Sequence, residues 1–345
     1  MIGTQLIEWF ARNKRDLPWR DEINPYKIWV SEIILQQTRV KQGFDYYEKF
    51  LKKFPEIFSL ANASMDEVLK IWQGLGYYSR ARNMHEAAGF IVKHLNGKFP
   101  DNYHDLLKIK GIGDYTASAI ASIAFGEAVP VIDGNVNRVI SRLFGIQSPV
   151  DAKEGKQQIR RHAEKLMEKA SPALYNQAIM EFGALYCVPQ HPDCENCILK
   201  TVCIACSKDI VSLLPVKSKA VSIKTRYFHY LVLNTNNFTF LQQRSTKDIW
   251  KGLYEFPMIE TDSEADASIL CATKQWQRWF GDSRPVIQKI SPCITHILTH
   301  RVLKIRFYEL ADACPAFDGQ PVKVKWNEVH RYAVPKVIEN YLNER

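Results

Sequence analysis

The sequence predicts a multidomain chain: an all-α domain over residues 1–206, a connector at 207–222, and a smaller α+β domain over 223–345. Three observations predict it. The length, 345 residues, suits two or three ordinary domains rather than one. Apolar residues recur at helical spacing up to a cluster of cysteines. Beyond the cluster, strand-like runs replace that pattern.

Taken in order, Val40, Phe44, Tyr47 and Leu51 mark one amphipathic helix, and Met84, Ala88, Ile91 and Leu95 another. Ser64 with Glu67 and Asp151 with Glu154 have capping-box spacing. Ser171-Pro172 reads as an N-cap followed by proline at the first helical position. Gly74, Gly97 and Gly126 sit where helices should stop. After the connector SKDIVSLLPVKSKAVS, the runs YFHYLVL and FTFLQQ, split by Asn-Thr-Asn-Asn, read as a hairpin. LKIRFYEL reads as a further strand and residues 264–280 as a helix. No fixed-period repeat or low-complexity segment is present.

Composition narrows the class. At 46% hydrophobic and 24% charged residues, the chain is of ordinary globular type. It has no run of about 18 apolar residues to span a membrane. Its first residues lack the basic, apolar and small-residue pattern of a secretion signal. A cytoplasmic, nucleoid-associated location is expected. The net charge is +9, spread as 29 basic against 24 acidic residues up to residue 220 and 17 against 13 after it. A broad basic excess suits a polyanionic partner, because Lys and Arg contacts to phosphate release counterions; it equally suits a merely basic soluble protein.

Five of the eight cysteines fall between Cys187 and Cys206. Without a secretion signal such a cluster points to a metal site rather than disulfides. Cys187, Cys194, Cys197 and Cys203 form C-x6-C-x2-C-x5-C, which favours a [4Fe–4S] cluster. The competing reading is zinc on Cys194, Cys197, Cys203 and Cys206, in a loop short for a zinc ribbon. Cys206 is a spare thiol in the first reading, and Cys187 is idle in the second.

Gly111-Ile112-Gly113 lies between helical stretches, in a hairpin spanning about 105–125. Two glycines one apart permit a tight turn. The next helix, starting near Asp114 or Tyr115, then offers free N–H groups to a phosphate. An ordinary helix corner is the alternative. Three carboxylates sit in apolar company. Glu32 lies in IWVSEIIL: burial there would raise its pKa and hold a proton ready, whereas a solvated strip beside Ser31 and Gln36 would leave it inert. Asp133, before GNVNRVI, is a good helix N-cap, and the same N–H groups could hold it ionised beside a developing cation. Glu181 in NQAIMEFGALY reads by itself as a surface glutamate.

Together LPWR, PYKIWVSEIILQQT, GLGYYSRARN, GIGDYTASAI, VIDGNVNRV, NQAIMEFGALYC and the cysteine loop resemble, in order and over nearly the whole chain, the helix–hairpin–helix DNA glycosylases with an iron–sulfur loop, in their adenine-specific, MutY-type branch. The resemblance implies a base-flipping hydrolase of the N-glycosidic bond of adenine mispaired with 8-oxoguanine or guanine in double-stranded DNA, acting as a monomer. It implies Glu32 as general acid, Asp133 as the carboxylate stabilising an oxocarbenium-like intermediate, Asn135 as its support and Tyr115 as the tyrosine beside the sugar. It places Arg20 and Glu181 in the adenine pocket, revising the surface reading of Glu181. It places Gln37, Thr38, Leu75 and Tyr77 against or beside the oxidised guanine, with wedging side chains holding the gap open. Bifunctional relatives that also cut the strand carry a lysine nucleophile where this chain has Tyr115; a Schiff base needs an amine, so little strand cleavage is expected.

The C-terminal part, residues 223–345 with IWKGLYEFP, resembles the Nudix-like domain that this family uses to sense 8-oxoguanine. The acidic R-E-x-x-E-E box is missing, implying binding without pyrophosphate hydrolysis. The family's Phe-Ser-His triplet is matched by Leu298, Thr299 and His300, so the aromatic is lost. The rival readings are a thymine-mismatch glycosylase or thymine-glycol endonuclease of the same fold, an idle damage-binding protein and a Nudix hydrolase. Tyr115, the C-terminal domain, the intact Glu32 and Asp133, and the missing acidic box argue against them in turn.

Overall fold

Asn24 starts a strongly apolar helix, its side chain accepting the N–H groups of Tyr26 and Lys27 with Pro25 at the first helical position. This computed structural model describes residues 2–345 except 168–169, 219–222, 236, 246–247, 282, 284, 312–314 and 320. The end of the predicted connector (219–222), Asn236 of the predicted turn and Cys314 therefore lie outside the described residues.

In chain order the helices are α1 (Ile2–Asn13), α2 (Pro25–Leu35), α3 (Val40–Lys53), α4 (Ile57–Ala61), α5 (Met65–Trp72), α6 (Ser79–Leu95), α7 (Tyr103–Leu106), α8 (Asp114–Phe125), α9 (Gly134–Phe144), α10 (Lys153–Met167), α11 (Pro172–Leu185) and α12 (Ile204–Ser207). Their ends follow the sequence signals. Ser64 and Glu67 form a reciprocal capping box at α5. Gly126 closes α8 in the left-handed conformation. At Asp151 the helix starts later than expected: α10 begins at Lys153, and the Asp151 carboxylate accepts from the backbone and hydroxyl of Ser218.

The chain forms two compact units, Met1–Asn62 with Asn83–Lys219, and Ala63–Arg82 with Ala220–Arg345. Residues 63–82 thus group with the C-terminal unit, although the sequence reading places them in the helical domain. The described part of the connector packs on the helical unit: Arg142 Nε donates to the carbonyls of Val211 and Leu214, and Val150 N–H donates to Val216. In the helical unit α1 and α9 pack on α11, and α3 and α8 on α2. Leu6, Phe10, Ile140, Ile159 and Phe182 are the centre of one core, each such burial stabilising by about 1.5–3 kcal/mol. Gly183 lets α11 meet α9 closely, since a Cβ there would lie 2.7 Å from Asn135 Cβ. Among the described residues no helix is long and apolar enough to cross a membrane.

The C-terminal unit carries β1 (Lys224–Leu233), β2 (Phe238–Gln243), β3 (Tyr254–Glu255), β4 (Met258–Thr261), α13 (Ala267–Cys271), α14 (Lys274–Phe280), β5 (Val286–Ile290), β6 (Ile294–Leu298), β7 (Arg301–Ala311), β8 (Val322–Lys325) and α15 (Lys336–Asn343). One sheet has the order β4-β1-β7-β5, with β6 also on β7; a second has the order β3-β2-β8. Among the described residues the three expected strands form, as β1, β2 and β7, beside five that the sequence reading did not name, but the expected hairpin does not form. β1 runs parallel to β7, with Phe228 opposite Ile305, and antiparallel to β4, so both its edges are taken. Phe228–Leu233 are buried at every position, which marks a strand covered on both faces. β2 therefore joins the other sheet. The predicted helix at 264–280 is two, because Thr273 caps α14 through the N–H of Trp276.

Candidate active site

A cavity of about 470 Å³ opens in the helical unit, lined among others by Arg15, Arg20, Glu32, Tyr115, Asp133, Asn135, Gln177, Met180 and Glu181. The geometry begins with α2. Its apolar residues bury it on nearly every side, and Glu32 is only 8% exposed rather than on a solvated strip. Burial raises its pKa, against the lowering influence of the Tyr115 hydrogen bond and of Arg20, while the charge of Asp133 adds to the rise. Tyr115, on the first turn of α8, donates its hydroxyl to Glu32 Oε2 and lies 3.9 Å from Met180 Sδ. Burial, then the charges of Glu32 and Asp133, raise the tyrosine pKa far above its usual range, so this hydroxyl keeps its proton.

Asp133 is the N-cap of α9. One oxygen accepts Val136 N–H at 2.7 Å and the other accepts Asn135 Nδ2 at 2.8 Å. The sequence reading expects these donors to hold it ionised. They do favour the charged form, but burial outweighs them and the net shift is upward. Arg138 fixes Asn135 by donating to its Oδ1 at 2.9 Å, and also donates to the carbonyls of Gly183 and Cys187. The wall of the cavity is thereby tied to the start of the cysteine loop.

Glu181 is fully buried, not on the surface. It accepts Arg15 N–H at 3.0 Å, Arg15 Nε at 2.8 Å and Nη2 at 2.7 Å, and is also bonded by Arg20 Nη2. Burial pushes its pKa up, but these partners pull it down and the net shift is downward. Arg20 keeps a buried Nε without a protein partner, a donor of the kind a bound base would satisfy. Arg15 and Gln177 escaped sequence analysis. The available signal was spacing: Gln177 stands one helical turn before Glu181, and Arg15 has no such periodic tie.

The hairpin places Gly111 at φ +97°, where a Cβ would come 2.9 Å from Asn83 Cβ; glycine is required there. Gly113 caps α8 at φ −93° with nothing within 4 Å of a Cβ position. No side chain caps this helix start, and Asp114 is engaged by Arg160 at 2.6 Å and by Tyr103. A helix start without a side-chain cap can present its first N–H groups to an anion.

Cys187, Cys194, Cys197, Cys203 and Cys206 line one small cavity with Arg142. Arg142 Nη1 donates to Cys187 Sγ and Leu199 N–H to Cys197 Sγ, both at 3.4 Å. Arg142 also donates to the carbonyls of Val188 and Pro189. Among the described residues no group of three or more Cys, His, Asp or Glu side chains is arranged to hold a single ion. A polynuclear cluster, with thiolates around a shared space and N–H···S contacts, fits this donor set.

Of the remaining expected contacts, Gln37 (φ +55°, exposed) and Thr38 lie in the turn after α2, and Thr38 lines the 470 Å³ cavity. Leu75, Tyr77, Thr299 and His300 lie in the C-terminal unit. There Leu75 is buried, Tyr77 is exposed at φ +45°, and its hydroxyl meets Thr299 Oγ1 at 2.5 Å. Thr299 and His300 form the exposed turn between β6 and β7. Tyr77, Trp250, His296, Thr299 and His300 border a second cavity of about 640 Å³.

The family model of the HhH-GPD superfamily base excision DNA repair protein matches residues 30–169, and that of the NUDIX domain matches 229–344. The adenine DNA glycosylase of Buchnera aphidicola subsp. Schizaphis graminum is 36% identical over 262 residues, which are 75% of this chain and 76% of that protein. That of Mus musculus is 31% identical over 401 residues, covering 99% of this chain and 78% of its own length. Among solved structures, a thermostable thymine-DNA glycosylase aligns at 28% identity with a TM-score of 0.56, over 60% of this chain and 95% of that one. With matches of this extent to both relatives, the chain belongs to the adenine DNA glycosylase family, the DNA base excision repair enzymes that hydrolyse N-glycosyl bonds on a helical HhH-GPD domain, here followed by a smaller Nudix-like domain.

Proposed function

We propose that the chain removes adenine paired with 8-oxoguanine or guanine in double-stranded DNA, as a monomer, by hydrolysis without strand cutting. One observation carries the reading: a buried Glu32, its pKa raised first by burial, shares a cavity with Asp133 and with the Arg20–Glu181 pair. Adenine turned out of the helix enters that cavity. Glu32 gives its proton to N7, so the base leaves with the electron pair of the C1′–N9 bond. Asp133 faces the positive charge that develops on the sugar, its carboxylate oriented by Val136 N–H and Asn135. Water adds to C1′ and its proton passes to the Glu32 carboxylate, restoring the acid. Tyr115 offers no amine, so no Schiff base forms and the strand stays intact.

Cys187, Cys194, Cys197 and Cys203 are the four thiolates proposed for a [4Fe–4S] cluster, which when bound cross-links the loop that Arg138 ties to Asn135. Gly111 and Gly113 bring the start of α8 to a phosphate. Gln37, Thr38, Leu75, Tyr77, Thr299 and His300 are proposed to contact the oxidised guanine; the Nudix-like domain binds rather than hydrolyses.

The test is single-turnover excision on a duplex with one adenine opposite 8-oxoguanine, with an A·T control, and products resolved with and without alkali. Cleavage that needs alkali and occurs only at the mispaired adenine is expected. No adenine release by folded, iron-loaded protein overturns the proposal.

A further inference from the structure

We infer that Cys206 is a reserve ligand of the cysteine loop, a fifth thiol at the same cavity that takes the place of Cys203. The inference rests on the iron–sulfur reading above and concerns a residue which that reading leaves idle. Five sulfurs, not four, line the cavity beside Arg142. Cys203 is the N-cap of α12, and Cys206 lies three residues on, within the single turn that Cys203 starts. Side chains three apart on a helix share a face, so the two thiols present to one side of one short element. That turn is held in place. Ser207 N–H donates to the Cys203 carbonyl at 3.1 Å and Ile210 N–H to that of Ala205 at 2.9 Å. Ile204 packs where Gly145 leaves room, since a Cβ at Gly145 would lie 2.6 Å from Ile204 Cγ2. Cys206 is therefore fixed at the cavity rather than carried on a loose tail. The spacing permits the exchange, because the set Cys187, Cys194, Cys197 and Cys206 lengthens only the last interval of the loop.

The exchange needs no oxidant or reductant. The iron–sulfur bond to Cys203 breaks and one to Cys206 forms. The thiol proton of Cys206 is released and Cys203 takes one up. The other described cysteines, Cys271 and Cys293, belong to the C-terminal unit, and Cys293 is exposed.

The experiment compares full-length wild type, Cys203→Ser, Cys206→Ser and the double variant for iron and sulfide per folded chain and for the visible charge-transfer absorption. Alkylation of the native proteins, mapped by mass spectrometry with Cys293 as internal control, is the second readout. About four irons per chain are expected in wild type and both single variants, and a loss of roughly tenfold in the double variant. Cys206 should react in native wild type and be protected in Cys203→Ser. Iron loss from Cys203→Ser as complete as from the double variant overturns the inference. So does a Cys206→Ser protein without iron, a Cys206 protected in wild type, or a Cys203→Ser chain that does not fold while Cys206→Ser does. Wild type devoid of iron overturns the iron–sulfur reading itself, a separate and earlier failure.

Discussion

Replacing Glu32 by glutamine separates its chemistry from its packing. Glutamine has nearly the same volume, and its carbonyl oxygen still accepts the Tyr115 hydroxyl that Glu32 Oε2 accepts, so the local network survives. What is lost is the proton. Proton transfer by a positioned acid contributes about 10²- to 10⁴-fold, or about 2.7–5.4 kcal/mol of barrier at 1.36 kcal/mol per decade. The same proton makes stability depend on pH. The folded pKa of Glu32 is raised, by burial first, so the folded chain holds a proton that the unfolded chain gives up near pH ~4.3. That contribution is fully present below the unfolded value and fades as pH rises through the folded one. Glu32→Gln does not suffer this loss, so its stability relative to wild type should grow as pH rises from the unfolded value toward the raised folded one. The assays are single-turnover excision across pH and denaturant unfolding at the same pH values. Wild-type excision should fall as pH passes the Glu32 pKa, because the acid form is consumed. A variant keeping more than about a tenth of the wild-type rate refutes the proton-donor role. A variant destabilised by more than about 2 kcal/mol at every pH shows that packing, not chemistry, retains the carboxylate.

Three further outcomes are expected. Glu181→Ala leaves the Arg20 guanidinium, 10% exposed, without its carboxylate; a loss of about 3–5 kcal/mol is expected in denaturant unfolding, and a change under 1 kcal/mol would count against the pair as a structural tie. Gly111→Ala should destabilise by about 1–3 kcal/mol through its positive φ and the contact with Asn83, whereas Gly113→Ala should be neutral in stability yet weaken duplex binding measured by fluorescence anisotropy; equal affinity for wild type and Gly113→Ala removes the phosphate assignment. Arg142 donates to four backbone carbonyls and to Cys187 Sγ, a fork that one ammonium does not span, so Arg142→Lys should lower both the iron content and the melting temperature, and an unchanged iron content would detach Arg142 from the cysteine loop.

The sequence by itself determined what depends on local spacing. The caps at Ser64 and Asp133, the hairpin around Gly111, the four-cysteine interval and the change from helix to strand are all decided over a few residues, where hydrogen-bond geometry and periodicity leave little choice. It did not decide partners across the fold. Glu181 reads from its own segment as a surface residue; the family resemblance puts it in a pocket, but only the fold brings Arg15 and Arg20, more than 160 residues away, onto it. β1 and β2 read as a hairpin until β7, distant in sequence, takes the edge of β1 and leaves β2 to another sheet. Residues 63–82 carry ordinary helical signals, and only tertiary contacts group them with the C-terminal unit. The upward pKa shifts of Glu32 and Asp133 belong with these cases, because desolvation is set by atoms from many segments at once and no local pattern encodes their sum.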